Sequence, residues 1–116
     1  MAFRFEDLKV WQDALAYSND IDIMTRSFPK TELYSLSSQI KRAADSVVLN
    51  IAEGSTGQSV PEYKRFLGIA LRSAVEVVAC LFIAKSRNYI TETVFRKHYE
   101  LYEILSKMIT KLKASM

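Results

Sequence analysis

Phe66-Leu-Gly-Ile-Ala-Leu-Arg-Ser-Ala-Val-Glu-Val-Val-Ala-Cys-Leu-Phe-Ile-Ala84 decides the fold. Fifteen of these 19 residues are apolar, and they surround a helical wheel rather than striping it. A stretch of this length must be weighed as a membrane span. Arg72, Ser73 and Glu76 stand near its middle, and each charge there costs roughly 2.5–3.5 kcal/mol on an insertion scale. A helix buried in protein is the better reading, with no membrane partner. Just upstream, Ser59-Val-Pro-Glu62 is a helix start: serine caps, proline sits in the first turn, and Glu62 completes a capping box. The helix then runs to about Arg87, some 27 residues or ~40 Å.

Three further helices follow from periodicity on either side. Val10, Ala14, Tyr17, Ile21, Met24 and Phe28 recur at steps of 4 and 3, predicting a helix from about Asp7 to Arg26, ended before Pro29. Leu33, Leu36, Ile40, Ala43 and Val47, flanked by Ala44, Val48 and Ile51, predict a second, starting at Glu32 or Leu36 and ending at Glu53. Gly54 is the expected left-handed C-terminal cap. Asn88 and Tyr89 make the last turn, and Thr91 caps the fourth helix. Its seam is Val94, His98, Leu101, Leu105, Met108 and Leu112, with a second stripe of Phe95, Tyr99, Tyr102 and Ile109. The whole chain, residues 1–116, reads as one domain: an all-α, up-down-up-down antiparallel four-helix bundle. In a lone bundle each helix keeps one wet face. The third helix is too apolar for that, so it, with the second stripe of the fourth, is expected to form a subunit interface.

Composition narrows the chemistry. One cysteine, Cys80, excludes an internal disulfide framework and multi-cysteine metal sites, and a reduced cytoplasmic setting fits. Met1 to Lys9 carries no apolar signal region. Di-metal carboxylate bundles require paired Glu-x-x-His motifs; the single histidine, His98, has Phe95 three residues before it. His98 reads as a core or interface histidine. Cys80, among Val77, Val78, Leu81 and Phe82, has no activating neighbour. The Gly54-Ser-Thr-Gly57 loop lacks the lysine of a phosphate loop. No catalytic residue, cofactor or metal ligand emerges, and the expectation is a protein that is not an enzyme. Trp11 and the tyrosines are expected on helix faces.

Two sets of polar residues remain. Gln39, Arg42, Ser46, Asn50 and Glu53 form a ridge on the second helix. Folding about Gly57 brings position 42 opposite 72–76, so an Arg42–Glu76 pair, with Ser73 nearby, would satisfy buried charge. A register-fixing network and a ligand pocket both fit these residues. The charges also separate along the chain. Residues 1–58 carry −2 and residues 59–116 carry +5, within a total of +3. Lys85, Arg87, Arg96 and Lys97 flank one turn and are joined there by Arg26 and Lys30. Lys64, Arg65, Lys107, Lys111 and Lys113 gather toward the other end. A solvated surface is the ordinary explanation; phosphate contact, multiplied by oligomerisation, is the functional one.

Phe3-Arg-Phe-Glu-Asp-Leu-Lys-Val-Trp-Gln12, Phe28-Pro29, Glu32-Leu-Tyr-Ser-Leu36 and above all Gln39-Ile-Lys-Arg-Ala-Ala-Asp-Ser-Val-Val-Leu-Asn-Ile-Ala-Glu-Gly54 resemble the four-helix bundle proteins named for intervening sequences in 23S ribosomal RNA genes. Phe66 to Glu76 is similar to the family's second block, with Leu71-Arg72 where a Lys-Gly pair is common. The resemblance implies a bacterial, cytoplasmic homo-oligomer, a ring of five, associated with RNA or the ribosome. It also implies kinship with the accessory protein of diversity-generating retroelements, which engages nucleic acid and a reverse transcriptase. A protein-interaction scaffold without nucleic-acid contact is the alternative.

Overall fold

The computed structural model describes residues 2–116, which form four long helices: α1 (Lys9–Thr25), α2 (Leu36–Gly54), α3 (Val60–Ser86) and α4 (Glu92–Ala114). Short 3-10 turns occupy Arg4–Asp7 and Lys30–Glu32. α1 therefore starts two residues later than the periodicity predicts. Glu6 holds the preceding turn by accepting from the Phe3 backbone N–H at 2.9 Å.

Cross-helix contacts fix the topology. Ser18 bonds Asp45 and Asp22 pairs with Lys41, so α1 and α2 run antiparallel. Ser46 meets Ser73 and Gln39 meets Glu76, so α2 and α3 do the same. Phe82 packs on Phe95, and Lys85 pairs with Glu92, across α3 and α4. Tyr17 reaches Tyr102 across α1 and α4. α1 and α3 lie on the diagonal, each against α2 and α4. The up-down-up-down bundle measures 43 × 22 × 22 Å, its long axis matching the length of α3.

The core follows the predicted series closely in the first two helices. Val10, Ala14, Ile21, Met24 and Phe28 are buried, as are Leu36, Ile40, Ala43, Ala44, Val47, Val48 and Ile51. Leu33 is exposed, because it lies before α2 begins. In α4 the buried line is Phe95, His98, Tyr102, Leu105 and Ile109. It draws on both predicted stripes, leaving Val94, Leu101, Met108 and Leu112 as half-buried flanks. Phe95, Tyr102 and Ile109 thus belong to this chain's own core and cannot serve a subunit interface.

Gly54 is not a left-handed cap. It is the last residue of α2, and the positive φ falls on Gly57 (82°) and on Asn88 (61°) at the two turns. Glycine is needed at 54 for a different reason. A Cβ built there would stand 2.9 Å from the Phe66 Cβ and 3.0 Å from Tyr63 Cδ1, so a bare backbone lets the start of α3 close onto α2. The two caps form as expected: Ser59 accepts from the Glu62 N–H at 3.2 Å, and Thr91 from the Val94 N–H at 3.2 Å. Glu62 does not complete its box; its carboxylate accepts from the Arg65 guanidinium instead.

Glu32 ties the α1–α2 connection to the α3–α4 turn. Its carboxylate accepts from Ser35 Oγ at 2.6 Å, from the Tyr89 hydroxyl at 2.7 Å and from Arg87 at 2.9 Å. The Ser35 hydroxyl first, then that of Tyr89, hold its carboxyl down to about 2, with the Leu36 N–H and Arg87 adding to the effect.

Gly54→Ala gains up to ~1 kcal/mol of helix propensity but forces an overlap costing roughly 1–3 kcal/mol; urea unfolding should show a net loss. The Glu32 cluster should be read out by pH. Between about pH 4.5 and 2 the folded Glu32 binds fewer protons than the unfolded chain, so its stabilisation is full above that window and disappears as pH falls through it. The stability difference between wild type and Glu32→Gln, followed by denaturant titration, should shrink across this interval.

Candidate nucleic-acid interface

The eight cations predicted to contact phosphate divide into two groups. Lys85 pairs with Glu92 at 2.6 Å, Arg87 with Glu32 at 2.9 Å, and Arg96 with Glu92 at 3.4 Å. Arg65 donates to Glu62 through Nε at 2.9 Å and its guanidinium also lies over the Phe66 ring. Lys85 and Arg96 additionally cover the Phe95 ring. These four charges are already partnered within the chain. The turn at Lys85 to Arg96 is therefore a network of ion pairs, three cations on two carboxylates, rather than an open basic patch. Arg26, expected at the same end, pairs with Asp22.

Lys64, Lys97, Lys107 and Lys111 have no ion pair among the described residues. Lys107 borders the α3–α4 groove beside Val75, Val78 and Tyr99, and Lys111 borders the α1–α4 groove beside Leu8 and Val10. One turn apart, they flank the outward ridge of α4. The Lys113 ammonium lies across α3 at Gly68, 3.4 Å from where a Cβ would stand. The last turn of α4, with Lys111 and Lys113, presents cations where the helix dipole favours them. Lys97 stands apart, at the α1–α4 groove beside Asp20 and His98.

The polar ridge of α2 meets α3 along one groove. Ser46 and Ser73 share a hydrogen bond of 2.8 Å, Asn50 donates to the Ser46 carbonyl at 2.8 Å and hydroxyl at 3.0 Å, and Gln39 donates to Glu76 at 3.4 Å. The expected Arg42–Glu76 ion pair is not formed. Gln39, Arg42 and Glu76 are all exposed, because they lie on the solvent side of the α2–α3 seam. Neither Arg42 nor Glu53 takes part in the hydrogen bonds that link the ridge to α3.

α3 itself is striped after all. Tyr63, Leu67, Ala70, Ala74, Val77, Cys80, Leu81 and Ala84 face the core, but Val75 is 60% exposed and Phe82 52%, with Ile83 beside them. Length and composition alone would let α3 cross a membrane, its best 18 residues averaging a hydropathy of 2.1.

The buried reactive groups are quiet. Burial pushes the Cys80 thiol up to about 11, which disfavours the thiolate. His98 is 4% exposed; burial first, and then Lys97, hold its imidazole below the usual value, against Asp20. Among the described residues, its Nδ1 and the hydroxyls of Tyr63 and Tyr102 are buried with no hydrogen-bond partner. Among the described residues no three of His, Cys, Asp and Glu converge to hold a metal.

Comparison with known proteins agrees with this geometry at the level of the fold. A solved structure from Bacteroides thetaiotaomicron, a protein of unknown function from the S23 ribosomal protein family, superposes with a TM-score of 0.83. It is 23% identical, with 90% of this chain and 97% of that one covered. No curated protein matches the sequence. Residues 6–111 match the family model described as 23S rRNA-intervening sequence protein. That match spans all four helices, and the chain belongs to the 23S rRNA-intervening sequence protein family.

Proposed function

We propose that this protein is a non-enzymatic homo-oligomer that binds RNA, or another nucleic acid, through phosphate contacts. The observation that carries this reading is the division among its cations: among the described residues Lys64, Lys107 and Lys111 stay unpaired toward one end, while at the other end Lys85, Arg87 and Arg96 are paired internally and Lys97 alone of the predicted set is left over. Unpaired lysines exchange small counterions for phosphates without first breaking a protein ion pair. The exposed apolar strip of Val75, Phe82 and Ile83 supports assembly, since a contiguous apolar patch on a small domain marks a contact surface. A ring of five would repeat the lysines around an axis and compensate for a monomer charge of only +3. The family relation supports a ribosomal RNA setting and a cytoplasmic location, and the kinship with retroelement accessory proteins belongs to the same proposal. The apolar strip also suits a protein-interaction scaffold, the second reading.

The test is the salt dependence of binding to structured RNA. Wild-type affinity should fall as log salt rises, and Lys107→Gln/Lys111→Gln should flatten that slope by about one for each phosphate left without its lysine. Lys85→Gln should change it little. A slope unaffected by the Lys107/Lys111 double variant, or no binding at low salt, overturns the reading in favour of the scaffold.

A further inference from the structure

Between α2 and α3 opens a groove of about 530 Å³, within the size range of small-molecule sites. Its walls carry opposite charges that do not meet. Arg42 and Glu76 both line it, yet no ion pair joins them, and among the described residues Arg42 has no carboxylate partner at all. Glu76 receives one long hydrogen bond, from Gln39 at 3.4 Å, and so retains acceptor capacity. The floor is polar and fixed. Ser73, 8% exposed on a buried face of α3 that is otherwise apolar there, bonds Ser46 at 2.8 Å, and Asn50 holds Ser46 in turn. At the rim stands Tyr34, 92% exposed and without a ring contact or hydrogen bond among the described residues.

We propose that this groove binds a guanine ribonucleotide. A free tyrosine ring offers a stacking face for a flat base. A carboxylate accepts hydrogen bonds and donates none, and guanine alone among the four bases presents two adjacent donors, N1–H and the 2-amino group, on its Watson–Crick edge. Adenine and cytosine set a ring-nitrogen acceptor beside their amino group, which a carboxylate repels, and uracil has a single donor between two acceptors. Arg42 supplies the partner for the phosphate, and the serine hydroxyls of the wall suit ribose oxygens. The same chemistry serves a free nucleotide or a guanosine in a single strand. The inference rests on the groove and not on the lysines of α3 and α4, so the two proposals stand or fall separately.

The experiment titrates the full-length protein at low salt, by calorimetry and by amide NMR shifts, with guanosine and adenosine 5′-monophosphates. A second arm uses oligouridine strands carrying one central guanosine or adenosine. Guanosine should bind at least tenfold tighter than adenosine in one arm or both, and the arm that discriminates identifies the source. Glu76→Gln should abolish that preference while leaving adenosine binding unchanged. Arg42→Ala should weaken both nucleotides at least tenfold, and Lys107→Gln/Lys111→Gln should leave the monophosphate arm unaltered. Arg42 and Glu76 are both exposed, and circular dichroism will show the variants folded. Equal affinity for the two bases, a preference that survives Glu76→Gln, or no binding of either nucleotide in either arm overturns the proposal.

Discussion

The close approach of α2 to α3 is the constraint on which the rest of the molecule depends. α3 carries more apolar surface than one neighbour can cover; α4 shields part of its inner face, and the most extensive cover comes where α2 draws near. Two features permit that. Gly54 removes a Cβ that would overlap Phe66, and Ser46 and Ser73 are small enough to meet hydroxyl to hydroxyl at 2.8 Å. With α2 and α3 locked in this register, α1 and α4 fill the two remaining sides, and α1 and α3 stay on the diagonal. The same register leaves the polar groove further along, lined by Gln39, Arg42 and Glu76.

Electrostatics act mainly at the ends. Glu32 gathers Ser35, Tyr89 and Arg87 into one cluster, tying together two connections that are distant in the chain. It also removes Arg87 from the set of available cations, as Glu92 does for Lys85 and Arg96. The net charge of a helix pair therefore says little about where phosphate can bind. What counts is which lysines are left over: Lys107 and Lys111 flank the outward ridge of α4, Lys64 stands in the first turns of α3, and Lys97 stands apart at the α1–α4 groove.

Most of the fold was legible in the sequence because helices announce themselves locally. The steps of 3 and 4, the Ser59 and Thr91 caps and Pro61 all act within one turn of the chain. The misreadings involve information that is not local. Gly54 after an apolar series reads as a cap, and only the position of Phe66 across the groove reveals it as a packing residue. α4 has apolar residues on more than one face, so choosing between two stripes required knowing where α1 and α3 lie. Glu32–Tyr89 spans 57 residues and left no signal in spacing. Arg65–Glu62 and Arg96–Glu92 did leave one: at i,i+3 and i,i+4, opposite charges on a helix meet, and that spacing alone could have withdrawn both arginines from the basic surface. The exposed Tyr34 was unreadable as a lone residue, because its isolation depends on α2 starting only at Leu36.

The central claim is that the outward strip of α3 is covered by further copies of the chain. Light scattering at micromolar concentration measures this directly. Wild type should give a mass several times 13.3 kDa, and Val75→Glu/Phe82→Glu should reduce it to that of one chain while circular dichroism keeps the helical signal. A wild-type mass of 13.3 kDa would contradict the claim and leave the strip to some other partner.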